Sequence, residues 1–165
     1  MVYPNHMTTF DIADKLGIKR ERLKNWLTEG YITPTFQVDI KRGKKSYFDR
    51  WQVYLIKFFA QLIEKGILRD VAASLIGESG PLVAEAIRRN DPDLIVIAKK
   101  VGEDEPIKKT DSPMEKSGKV AAMYDKLFLK YDDDLSSQLV MQRYESAIII
   151  NFRMIRQEID FHFDS

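Results

Sequence analysis

Residues 10–34 read FDIADKLGIKRERLKNWLTEGYITP, and the spacing of their apolar side chains decides the fold. Phe10, Ala13 and Leu16 recur at helical intervals and stop at Gly17, a residue type that readily closes a helix. Thr8, just upstream, can cap this first helix, with Asp11 at the third position of its opening turn. A short turn leads to a second helix, in which Leu23, Trp26 and Leu27 at i, i+3 and i+4 form a buried arc. Glu21, Arg22, Lys24, Asn25 and Thr28 then project from the opposite side.

Two short packed helices with a polar outer face on the second read as a helix-turn-helix. Lys19, Arg20 and Arg22 crowd the first turn of that second helix. The positive end of the helix dipole makes cations unfavourable there by roughly 0.3–1 kcal/mol each. A nucleic-acid phosphate reverses the sign, because free backbone amides and cations both attract it. A solvated basic helix end is the plain alternative.

The next segment, FQVDIKRGKKSYF at residues 36–48, alternates Phe36, Val38 and Ile40 on one face. It turns at Arg42 and Gly43 and returns through Ser46 and Tyr47, as a hairpin does. Lys41, Arg42, Lys44 and Lys45 gather at its tip, where no core needs them and where they can reach a DNA backbone. Helix-turn-helix plus basic hairpin makes a winged helix-turn-helix. Asp49 then caps a long helix with Trp51, Leu55, Phe58 and Leu62 on one face, closed at Gly66. A short helix follows with Leu68, Val71 and Leu75.

From about Thr9 to Ile76 these residues resemble the DNA-binding domain of the MerR family of bacterial transcription regulators. The resemblance is carried by IADKLGIKRERLKNW, the exit GYITP, the wing ending KKSYF, the EKG, and the run ILRDVAASLI, in that order. It implies sequence-specific binding of double-stranded DNA by a bacterial or phage regulator, a homodimer, and RNA polymerase or another protein as a further partner. The family's recognition-helix arginine falls on Lys24, the aromatic pair after it on Asn25 and Trp26, and the wing's arginine-x-tyrosine on Lys45 and Tyr47. Lysine keeps the phosphate charge without the planar fork of arginine, and Asn25 is a residue type that pairs with adenine in the major groove. The expected DNA-contacting set is therefore Lys19, Arg20, Arg22, Lys24, Asn25, Lys41, Arg42, Lys44, Lys45 and Tyr47.

Composition fits this reading. The chain has 165 residues with 44% hydrophobic and 11% aromatic content, enough for one moderate domain or two small ones. It holds no cysteine, which removes disulfides and thiolate metal sites. No apolar run approaches the ~20 residues that a membrane span needs. MVYPNHMTTF has neither the basic start nor the apolar core of a secretory signal, so a cytoplasmic location is expected. The net charge of +1 hides an asymmetry: residues 1–76 carry 13 Lys/Arg against 8 Asp/Glu, and residues 77–165 carry 13 against 17. DNA contact belongs to a domain at 1–76, and an acidic α/β domain at 77–165 is expected to serve dimerisation, an effector or a partner.

Gly77, Glu78, Ser79, Gly80 and Pro81 form a turn-rich boundary, followed by an expected helix from Pro81 to Arg89 with Leu82, Val83, Ala86 and Ile87 inward. LIVIAKKV reads as a buried strand ending at Gly102, and EDEPIKKTDSPMEKSGK as an exposed loop. Ala122 to Lys130 has helical spacing through Met123 and Leu127. AIIINF is expected to pair with LIVIA and to lead into a helix begun at Asn151, running through Met154, Ile155 and Ile159; one helix from Leu139 to Phe161 is the alternative.

Catalysis finds no support: His6 and His162 stand in terminal segments, and no serine lies in a glycine elbow. The carboxylates Asp132 to Asp134 read as a solvated turn, so neither metal nor cofactor is expected. The expected fold is mainly α: a MerR-like winged helix-turn-helix with a small hairpin, plus a smaller α/β unit with a short two-stranded sheet. The alternatives are an excisionase-like or packaging-type architectural DNA-binding protein, and a protein-interaction module on the same fold.

Overall fold

The computed structural model describes residues 3–77, 85, 87–101, 106–135 and 144–165. In chain order the elements are β1 (His6–Thr8), α1 (Thr9–Leu16), α2 (Arg20–Thr28), β2 (Phe36–Ile40), β3 (Gly43–Asp49) and α3 (Arg50–Glu64). They continue with α4 (Arg69–Gly77), β4 (Leu94–Lys100), α5 (Pro113–Ala122), β5 (Tyr124–Leu129), β6 (Tyr144–Asn151) and α6 (Phe152–Asp164). Residues 87–90 are helical as well. The chain forms two compact units, one of residues 1–60 with 155–165 and one of residues 61–154.

The expectation of a mainly α fold is overturned. With 49% helix, 25% strand and two three-stranded antiparallel sheets among the described residues, the protein is mixed α/β. The excess strand comes from two elements that sequence periodicity does not announce, β1 and β5.

In the first unit, α1 starts where its capping box dictates. The Thr8 hydroxyl oxygen accepts from the Asp11 amide at 3.3 Å, while the Asp11 carboxylate accepts from the Thr8 amide at 2.8 Å and its hydroxyl at 2.7 Å. Gly17 ends the helix at φ 66°, a backbone state that costs a β-carbon-bearing residue more than glycine. Burial alone would raise the Asp11 pKa, but the two hydrogen bonds from Thr8, helped by Lys15 and Lys45, hold it below the usual 3.8. Thr8→Ala is expected to cost about 1 kcal/mol. A folded-state pKa below the unfolded value means the carboxylate stabilises above that value. The stability gap between wild type and Asp11→Asn in urea melts is therefore full at neutral pH and shrinks as the pH falls below 3.8.

The first sheet has the order β1-β3-β2. β2 and β3 form the expected hairpin, with Phe36 opposite Tyr47 and Ile40 opposite Gly43. The turn residues are Lys41 and Arg42, one position before the expected pair. Gly43 supplies the positive φ, at 117°, and neither Lys41 nor Arg42 has one. That excludes the mirror-image turn needing two positive-φ residues and makes the glycine necessary. β1 covers the other edge of β3, pairing His6 with Asp49 and Thr8 with Tyr47. His6, expected in a loose terminus, thus lies in a strand, edge-on to Phe36 at 5.0 Å.

Asp49 caps α3 as expected, its carboxylate accepting from the Gln52 amide at 2.8 Å. Val53, Tyr54, Ile56, Phe58 and Phe59 are all buried, so within this unit α3 is covered around more of its circumference than the single stripe read from sequence. One side is covered by α6. Arg50 pairs with Asp160 at 3.1 Å and Asp164 at 2.5 Å, Lys57 with Glu158 at 3.7 Å, and the Tyr54 hydroxyl donates to Asp160. Burial and that neighbouring carboxylate push the Tyr54 phenol well above its usual range.

The second unit is built on β4, the central strand of β5-β4-β6. Its buried run Ile95, Val96, Ile97 and Ala98 is the strand expected from LIVIAKKV, ending at Lys100; Gly102 lies outside the described residues. Val96, Ala98 and Leu129 form a core on one face, packed by Leu94, Leu127, Leu135, Tyr144 and Ala147. β6 and the helix after it match the expected strand and helix, which removes the single-helix alternative from 144 onward, and Asn151 accepts from the Met154 amide at 3.2 Å. Met154 itself is exposed, as is Leu68.

Two expectations in this unit are corrected. Tyr124–Leu129 is a strand pairing with β4, not a helix: the spacing of Met123 and Leu127 coincides with a helical one, but β4 offers an open edge. The second half of the expected loop is α5, begun by a capping box between Ser112 and Glu115 with Pro113 in its first turn. The expected turn at residues 78–81 and the inward Leu82, Val83 and Ala86 lie outside the described residues.

Candidate nucleic-acid interface

The first unit places the expected contact residues on two surfaces. On α2, Leu23 and Trp26 are buried, which turns Glu21, Arg22, Lys24, Asn25 and Thr28 outward. The Trp26 ring meets Phe59 edge-on at 4.9 Å, fixing the helix to α3. Lys19 occupies the N-cap and makes no side-chain cap, so the first amides of α2 receive no side-chain oxygen from it. Around that end stand Lys19, Arg20 and Arg22, all exposed.

Two of these cations rest on aromatic rings. Arg22 lies 5.8 Å from the Trp26 centroid, and Arg20 lies 5.6 Å from that of Phe10. Phe10 was expected in the core stripe of α1, yet it is 58% exposed, and Ile12 with Leu16 fills the core instead. Phe10, Ala13, Ile18, Lys19 and Arg20 line an open groove of about 380 Å³ at the turn between α1 and α2. The signal for this was present in the sequence: Ile12 and Leu16 are spaced i, i+4 just as readily as Ala13 and Leu16 are at i, i+3.

The second surface is the hairpin. Its root is tied to the exit of α2: Tyr31 donates to the Trp26 carbonyl at 2.8 Å, and Thr35 donates to the Tyr47 carbonyl at 2.8 Å. The Asp49 amide in turn donates to the Thr35 hydroxyl at 2.9 Å. Lys41, Arg42, Lys44 and Lys45 are all exposed at the tip. Asp39 pairs across the strands with Lys44, leaving an excess of positive charge. Tyr47 does not share this surface. It is 6% exposed and sits among Phe36, stacked at 5.0 Å, and Tyr3, edge-on at 4.8 Å, with the Lys45 ammonium 5.5 Å from its ring. Its place is beneath Lys45, as the floor of the wing.

Among the described residues no three His, Asp or Glu side chains gather in a way that could hold a metal ion. No helix among them is long and apolar enough to cross a membrane. No family model and no curated protein matches this chain.

Proposed function

We propose that this protein binds double-stranded DNA sequence-specifically, as a MerR-like winged helix-turn-helix transcription regulator acting in the cytoplasm as a homodimer and catalysing no reaction. The observation that carries the reading is the placement of eight exposed cations, Lys19, Arg20, Arg22, Lys24, Lys41, Arg42, Lys44 and Lys45, on one helix and one hairpin of the same compact unit. The charges on α2 oppose its own dipole, and a bound phosphate removes that conflict. In this reading α2 enters the major groove, Lys24 and Asn25 reach base edges and phosphate, and the hairpin cations hold the backbone beside it.

Selection of bound sequences from random duplex DNA tests it. The expected result is an enriched palindrome with half-sites about one helical turn apart, ~34 Å centre to centre, as two symmetry-related α2 helices require. No enriched sequence at moderate salt would falsify the proposal.

A further inference from the structure

Resting on the DNA-binding reading above, we infer that Ile40 is an apolar wedge that the hairpin inserts into the DNA minor groove, against or between base pairs, while its cations hold the flanking phosphates. Ile40 closes β2 at the base of the Lys41–Arg42 turn and is 51% exposed. A β-branched residue in a strand is ordinarily covered by its cross-strand neighbour. Here that neighbour is Gly43, and even a β-carbon added at Gly43 would meet nothing within 4 Å. The glycine is required by the turn, so the space beside Ile40 is built into the hairpin. The turn does not require an isoleucine beside it, and half of that side chain is left in solvent.

The surroundings choose the occupant. Lys41, Arg42, Lys44 and Lys45 follow Ile40 within five residues and are all exposed, against the single carboxylate of Asp39 before it. A single apolar side chain is far smaller than the ~800 Å² per partner that a stable protein interface buries. Four cations beside it, against one carboxylate, match a polyanion whose charges flank an apolar interior, which describes the groove of a duplex. The minor groove, about 6 Å wide, admits one side chain at a hairpin tip and not a helix. Isoleucine is among the residues that wedge into base steps, partly unstacking them and bending the duplex.

The test uses a duplex enriched by the selection above, with a fluorescent aminopurine moved step by step through the site and end labels reporting bend by energy transfer. Wild-type protein is expected to brighten the analogue at one step severalfold and to bend the duplex. Ile40→Ala is expected to abolish both signals and weaken binding about tenfold, with the salt dependence of affinity unchanged because no phosphate contact is lost. Ile40→Leu retains both signals, and both variants keep the wild-type urea melt. Duplex binding without a brightened step, or undiminished signals in Ile40→Ala, overturns the wedge and leaves DNA binding standing. If wild-type protein binds no duplex, the DNA-binding reading fails and the wedge with it.

Discussion

Trp26→Ala is expected to destabilise the first unit by about 3–5 kcal/mol, the range for truncating a large buried aromatic. The indole is 1% exposed and edge-on to Phe59, so its loss leaves a cavity that neither α2 nor α3 can fill without moving. The same ring is the platform under Arg22 at 5.8 Å, and the Trp26 carbonyl receives the Tyr31 amide that starts the link to the hairpin. The substitution keeps that main-chain carbonyl and removes the ring, so the loss falls on Arg22 and on the packing of α2 against α3. Urea unfolding followed by far-ultraviolet circular dichroism measures the loss, and Trp51 remains as a fluorescent probe. Stability within 1 kcal/mol of wild type would contradict the packing of α2 described above.

Replacing Lys41, Arg42, Lys44 and Lys45 together by alanine has the largest expected effect on the proposed activity. Each phosphate contact contributes about 0.9 to the slope of log affinity against log salt, so losing all four lowers the slope by about 3–4 for each subunit of the proposed dimer. At 0.1 M salt that corresponds to roughly a thousandfold or more in affinity, and the two lines converge toward 1 M. Because the four side chains are exposed, the melting curve stays close to wild type. Fluorescence anisotropy across a salt series reads the effect, and parallel lines for wild type and variant exclude the hairpin from the phosphate backbone.

Local chemistry made much of this architecture legible. Thr8 with Asp11, Gly17, and the unbroken run from Leu94 to Lys100 each contain the interaction that defines their element, either within a helical turn or in a strand buried on both faces. Elements defined by a distant partner were not legible. The three residues of β1 are too few for periodicity, and their state is set by β3, some forty residues on. Tyr124–Leu129 carries helical and strand spacings at once, and pairing with β4 decides between them. Ser112, Pro113 and Glu115 did announce α5, but their charged surroundings masked the capping signal. At the candidate interface, the outward side chains of α2 followed from the burial of Leu23 and Trp26. The exposure of Phe10 was legible only through the competing Ile12 and Leu16 spacing, and that of Ile40 was not, because its strand periodicity permits burial while its cross-strand neighbour is Gly43.

The first unit is completed by residues 155–165, whose carboxylates Glu158, Asp160 and Asp164 meet Lys57, Tyr54 and Arg50 of α3. Synthesis proceeds from the N-terminus, so the helix-turn-helix and its wing leave the ribosome well before the helix that closes their unit. A nascent chain stalled after residue 76 carries all eight cations and lacks that helix. The unit that carries the eight cations thus begins before residues 61–154 are made and is completed only after them.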